Sequence, residues 1–232
     1  VCASAQSYCS ITPSHSLCGP SGPSNACGNV YYRGVTQEEK REALEQHNKL
    51  RSRVAVGSTN QPSAADMMEL RWDDELASVA QGHADNCLFV HDCSDCRKTP
   101  RFRVGQNIYR AKDYRFESPQ WRQVIDSWFS EINLFPGLGS IASYRYTLGT
   151  GHYTQMTWAS ITSVGCGLIT HKNADTGPFI ARVYLHCTLL WFYVCNYGPG
   201  GNFVGRKMYQ PGSACSACPG SSSCSSSYPG LC

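Results

Sequence analysis

Gly151-His152-Tyr153-Thr154-Gln155-Met156-Thr157-Trp158 sets one imidazole among side chains built to pack. Tyr153, Met156 and Trp158 are core formers, and Gly149-Thr150-Gly151 lets the chain turn just before them, so the His152 ring is expected at the edge of a core. An imidazole held there ligates a metal or moves a proton, or it is a core histidine satisfied by backbone hydrogen bonds. The octapeptide leaves both open, and partners elsewhere must decide.

The 232 residues suffice for one well-filled core plus appendages. A hydrophobic content of 41% with 16% charged residues is that of a folded globular chain, whereas 14 cysteines exceed intracellular usage. The even count predicts seven disulfides in an oxidising compartment. A cytosolic zinc module is the competing reading, but the cysteines are scattered from Cys2 to Cys232, and structural zinc ligands cluster. The net charge of +3 is mild and basic residues form no long run, which argues against nucleic-acid binding. The longest apolar run, Cys187 to Cys195, falls well short of the roughly 20 residues that span a bilayer. No charged start with an apolar stretch behind it is present, so if the protein is secreted the chain is expected to be the mature one, without N-glycosylation sequons.

Residues 1–34 are a Ser-, Pro- and Gly-rich extension with Cys2, Cys9, Cys18 and Cys27, held by cross-links and not by a core. Thr36 and Glu39 form a capping box, and a helix should follow to about Val56 with Ala43, Leu44, His47, Leu50 and Val54 as its buried stripe. Asp73, Asp74 and Glu75 open a second helix whose buried face is Leu76, Val79, Ala80, Ala84 and Cys87. Val104 to Ala111 reads as a strand, and Ser118-Pro119 as the cap and first turn of a third helix. Glu131 lies at the border of that helix's apolar face and needs a partner. Residues 134–151 read as a loop, while Val164 to Thr170 and Ala181 to Tyr197 are expected to pair as a hairpin around Asn173 to Pro178. Helices and strands without βαβ regularity imply an α+β sandwich. The domain is placed at 35–210, and 211–232 is read as a two-disulfide tail with eight serines and too little apolar matter for a core.

Several motifs in order then match a known family: H-N-K-L-R at 47–51, C-L-F-V-H-D-C at 87–93, V-G-Q-N-I at 104–108, the octapeptide at 151–158, and V-C-N-Y-G-P-G-G-N at 194–202. Over residues 6 to 210 the chain resembles the CAP superfamily of cysteine-rich secretory, antigen-5 and pathogenesis-related proteins. Y-C at 8–9, H-S-L-C at 15–18 and A-C-G-N at 26–29 resemble the arthropod antigen-5 branch, while the C-terminal tail resembles the hinge of cysteine-rich secretory proteins without the ion-channel regulatory domain that follows it. The resemblance implies a three-layer α-β-α sandwich. It further implies the disulfides Cys9–Cys18, Cys27–Cys87, Cys166–Cys195, Cys215–Cys224 and Cys218–Cys232. Cys2, Cys93, Cys96 and Cys187 keep three possible pairings, with Cys2 standing in for the absent antigen-5 partner of Cys93.

The resemblance also implies a central cleft at His91, Gln106, Glu131 and His152, with the histidines as ligands of a weak Zn²⁺ site. One acid of the family's tetrad is Gln106 here, which removes a charge that would orient a histidine or favour a cation. No Gly-x-Ser-x-Gly, His-Glu-x-x-His or free cysteine is apparent, and Ser160 and Ser163 are ordinary turn residues, so no catalytic residues and no hydrolase are expected. A buried hydrogen-bonded cluster is the competing account of the tetrad. Residues 134–146, through Leu134, Phe135, Tyr144 and Tyr146, have the content of an apolar-ligand loop or of a loop packing its own aromatics. The resulting expectation is a monomeric, non-enzymatic extracellular protein that binds a sterol, fatty acid or eicosanoid, or a protein target. The alternative is a toxin-like interaction module without a lipid ligand.

Overall fold

The structure, a computed structural model, describes residues 8–113, 118–172 and 189–232. Five strands, β1 (Asn29–Arg33), β2 (Arg71–Trp72), β3 (Gly105–Asp113), β4 (Ser163–Lys172) and β5 (Leu189–Gly198), form one sheet in the order β1-β4-β5-β3. β2 runs parallel to the start of β4, and the other pairings are antiparallel. The helices are α1 (Gln37–Ala55), α2 (Asp74–Ala84), α3 (Trp121–Ser130) and two short ones, α4 (Leu138–Ala142) and α5 (Gly151–Met156).

Strand side chains alternate between two faces, and each face has its own core. Val164, Cys166, Leu168, Trp191, Tyr193, Cys195 and Tyr197 pack with α1, α3 and α5 in the larger one. Ile169, Phe192, Val194 and Ile108 meet Ala80 and Ala84 of α2 on the opposite side. The result is an α-β-α sandwich. α2 lies directly on β4 because Gly165 and Gly167 face it: a Cβ at Gly165 would sit 2.2 Å from the Ala77 nitrogen, and one at Gly167 2.5 Å from the Gln81 Cα.

Capping follows the sequence at two helices. Thr36 Oγ1 accepts from the Glu39 N–H (3.3 Å) and Glu39 Oε2 from the Thr36 N–H (2.7 Å), and Asp73 Oδ1 accepts from the Leu76 N–H (2.9 Å). α3 departs from expectation. It begins at Trp121, after Ser118-Pro119, and Gln120 makes no side-chain cap; the Gln120 N–H instead donates to the Tyr193 hydroxyl (3.1 Å). Residues 134–151 contain α4 and lead into α5, and the N-terminal segment supplies β1, which pairs with the end of β4. Cys87 lies beyond α2 with φ 55°, not on the helix's buried face. The turn at 173–178 and residues 181–188 of the expected strand lie outside the described residues.

The disulfides among the described residues are Cys9–Cys18, Cys27–Cys87, Cys166–Cys195, Cys215–Cys224, Cys218–Cys232 and Cys93–Cys96. Cys166 and Cys195 are direct cross-strand partners. Cys93 does not pair with Cys2: a turn closed by the Cys96 N–H donating to Cys93 O (3.0 Å) brings the two Cα atoms within 4.9 Å. Cys2 and Cys187 lie outside the described residues. The tail docks on the domain, since Leu231 is buried in the large core and Cys232 exchanges backbone hydrogen bonds with Met67 and Glu69.

The polar residues of His47-Asn48-Lys49-Leu50-Arg51 turn inward. Asn48 brackets Leu70 through both its N–H and its carbonyl (2.9 Å each). Arg51, fully buried, gives six hydrogen bonds to the carbonyls of Met68, Met156, Trp158, Ala159 and Ile161, so α1 fixes the segment that follows α5.

Candidate functional site

α3 ends in a 3₁₀ turn, Glu131–Leu134, that carries the Glu131 carboxylate to the first turn of α5. There Oε2 accepts from the backbone N–H groups of His152 (2.8 Å) and Tyr153 (3.1 Å), and Oε1 accepts from His152 Nδ1 (2.6 Å). A carboxylate on free N–H groups at a helix start satisfies donors that have no intrahelical partner. Because Oε1 only accepts, the His152 proton sits on Nδ1 and the Nε2 lone pair is left open. Trp128 stacks on the ring with centroids 6.1 Å apart.

His91 is built the same way from other elements. Gln106 on β3 donates through Nε2 to Asn196 Oδ1 on β5 (3.2 Å), which turns its Oε1 toward His91 Nδ1 (2.9 Å). His91 therefore also carries its proton on Nδ1 and presents Nε2. Burial lowers its pKa, the Gln106 hydrogen bond and the Asp92 carboxylate oppose that, and the Arg97 cation lowers it further. At neutral pH the ring is a neutral donor.

His91 and Gln106 line a cavity of about 440 Å³ together with Ser94, Arg97, Gln155 and Phe203. His152 and Glu131 do not line it themselves. His152 stands three residues before Gln155 on α5, hence on the same helix face. Gly105 lets β3 approach α5 here, for a Cβ would sit 2.2 Å from Gln155 Oε1. Gln155 Oε1 accepts from the Gly201 N–H (3.3 Å), while its buried Nε2 has no partner among the described residues. Sequence reasoning missed Gln155, although it lies in the same octapeptide one helical turn from His152. It also missed Asn107, whose Nδ2 holds the His152 carbonyl (3.0 Å) and the Tyr197 hydroxyl (3.2 Å).

The four residues of the expected ligand loop divide. Phe135 and Tyr144 are core, packed on Tyr153 and Trp158, whereas Leu134 and Tyr146 are exposed at 63% each. Ser160 and Ser163 are not among the cavity's lining residues. Cys215, Cys218 and Cys232 group closely, but their sulfurs are in disulfides and offer no thiolate to a metal. No helix among the described residues is long and apolar enough to cross a membrane.

A sheet between one helix and three, stapled by disulfides, with a polar cleft lined by His91 and by Gln155 of the helix that carries His152, defines the class of cysteine-rich secretory folds. The model of the "CAP: Cysteine-rich secretory protein family" matches residues 44–197, and the chain belongs to that family. It is 41% identical over 222 residues to "CRISP/Allergen/PR-1" of Trittame loki, covering 90% of this chain and 51% of that protein. The chain thus spans about half the length of that relative and of the "Cysteine-rich venom protein" of Tityus serrulatus, of which it covers 52%. It is 36% identical to "Venom allergen 5" of Rhynchium brunneum, covering 87% of each. Among solved structures, "NaASP2 with Zn2+" superimposes with a TM-score of 0.67 at 29% identity, covering 91% of this chain and all of that one.

Proposed function

We propose that the protein acts outside the cell by binding and not by catalysis, and that its cleft takes a divalent cation, zinc in chemical type, weakly on Nε2 of His91 and His152. The carrying observation is that both Nδ1 atoms are engaged, by Gln106 and Glu131, so that Nε2 is the atom of each ring outside these bonds and available to a metal. Nitrogen donors of this kind suit Zn²⁺, and two protein ligands leave positions for water or a further ligand. Bound there, zinc would supply a Lewis-acid centre suited to an anionic or carbonyl group. The neighbour NaASP2 was solved with Zn²⁺, which supports the reading. That Glu131 is not itself a base is supported by its carboxylate, which already accepts from three donors. The described residues hold six disulfides, which fits an oxidising, extracellular setting.

Calorimetric titration with Zn²⁺ tests the metal reading. The native sequence should give a saturable heat that the His91→Ala/His152→Ala double variant lacks, and an unchanged isotherm in that variant refutes it. A second reading, carriage of a small apolar ligand such as a sterol, fatty acid or eicosanoid, or docking of a protein target, is favoured by exposed Leu134, Leu138, Tyr146 and Leu148 in one short segment. Native mass spectrometry of protein from its natural source separates the two. A released apolar mass supports the carrier, and a bare protein mass turns the search to a protein partner.

A further inference from the structure

Cys93–Cys96 differs from the other disulfides among the described residues. It closes a separation of 3, against 60 for Cys27–Cys87 and 29 for Cys166–Cys195. A bond across so short a loop restricts the unfolded chain least. Its two ends also differ in access, since Cys93 is exposed and Cys96 is buried at 8%.

The turn that carries the bond is held independently of it. The Cys96 N–H donates to Cys93 O and to Cys93 Sγ, both at 3.0 Å, and Arg97 Nη1 donates to the Asp92 carbonyl (2.6 Å) and carboxylate (2.5 Å). The bonds to Cys93 O and from Arg97 to Asp92 involve neither sulfur, so the turn has its own support apart from the S–S link. The same loop reaches the cleft, because His91, Ser94 and Arg97 line its cavity.

We propose that Cys93–Cys96 is a thiol–disulfide exchange site that takes a low-molecular-weight thiol at the mouth of the cleft. The incoming thiolate attacks the exposed Cys93 Sγ. The bond to Cys96 breaks, its electron pair leaves with the Cys96 sulfur, and that sulfur takes a proton from water. Cys93 is then joined to the incoming thiol in a mixed disulfide. A second thiolate attacks the sulfur of that first thiol, releasing a symmetric disulfide and leaving Cys93 and Cys96 reduced, so two electrons enter the protein and two thiols are oxidised. Attack by Cys96 on the mixed disulfide reverses the first step. Exposed disulfides are the labile members of a fold, and exchange depends on which sulfur is reachable.

The test equilibrates the full folded chain in glutathione buffers of rising thiol-to-disulfide ratio, alkylates, and maps each cysteine by mass spectrometry. Cys93 and Cys96 should become labelled at a ratio at least about tenfold less reducing than the one that opens Cys27–Cys87 and Cys166–Cys195. A Cys96→Ser variant should accumulate glutathione on Cys93, while Cys93→Ser should leave Cys96 unmodified. Three outcomes overturn the proposal: a map that joins Cys93 to a cysteine other than Cys96, labelling only together with the buried pairs, or glutathione captured by Cys96 in preference to Cys93. The titration of the unaltered chain decides the matter even where a variant fails to fold.

Discussion

Acidification from pH 7 to pH 5 should destabilise the protein through His47, a residue outside the cleft. His47 is fully buried on α1; its Nδ1–H donates to Ala43 O (2.8 Å) and its Nε2 accepts from the Tyr197 hydroxyl (2.8 Å). Burial is the main cause that lowers its pKa to about 4 from 6.5; the Ala43 bond opposes this and the Arg51 cation adds to it. The unfolded chain protonates His47 as pH falls through 6.5, whereas the folded chain resists until about pH 4. Between those values the unfolded state holds more protons, so stability declines as pH falls. Integrated from pH 7 to 5 the loss is about 2 kcal/mol. Guanidinium unfolding followed by tryptophan fluorescence, disulfides intact, should show the native sequence losing about 2 kcal/mol more over this interval than a His47→Gln variant. The comparison cancels contributions shared by both proteins, including those of His91 and His171, whose pKa values burial also lowers. Equal losses in the two proteins would refute a buried neutral imidazole at position 47.

Gly167→Ala should destabilise by more than about 4 kcal/mol, because the new Cβ meets the Gln81 backbone of α2 at 2.5 Å; a thermal midpoint within a few degrees of the original would contradict the close approach. Arg51→Lys should cost roughly 2–4 kcal/mol in chemical denaturation, since one ammonium cannot serve the five carbonyls that the guanidinium reaches and each abandoned buried acceptor is penalised. Gln106→Glu should tighten zinc binding about tenfold by adding a charge behind His91 Nδ1, read as a shift in calorimetric affinity; an unchanged affinity would detach Gln106 from the metal reading.

Local features of the sequence carried far into the structure where the partner was also local. The Thr36–Glu39 capping box and the Asp73 cap are three-residue relations, and both form. The alternation of β5 divides Trp191, Tyr193, Cys195 and Tyr197 from Phe192 and Val194 because sheet geometry imposes a period of two. Features that depend on distant partners were hidden. β1 is largely exposed and polar at its ends, and it is a strand only because the end of β4 supplies its hydrogen bonds. Ser118 does not sit at the cap position because the helix begins at Trp121, where the Gln120 N–H meets the Tyr193 hydroxyl of a distant strand. Apolar periodicity along α1 could not register Asn48 and Arg51, which are buried for the backbone groups they satisfy. At the cleft, the sequence pointed to histidines and an acid, but the tautomer that frees each Nε2 follows from Gln106 and Glu131 arriving from β3 and the end of α3.

The distribution of these polar groups bears on what the cleft can do. Of the polar residues in the motifs that single out this chain, His47, Asn48, Arg51 and Asn107 are consumed in joining α1, β3, β5 and the segment after α5. Glu131 is consumed at the first turn of α5. A general base must be free to take a proton; Glu131, bound to three donors, orients His152 and does not itself stand free to take one. What remains unspent is a pair of imidazole lone pairs and the donor of Gln155, each fixed in direction by bonds made elsewhere. Fixed and unspent groups of that kind lose little entropy when a ligand arrives, and this is the physical ground for the binding role proposed for the cleft.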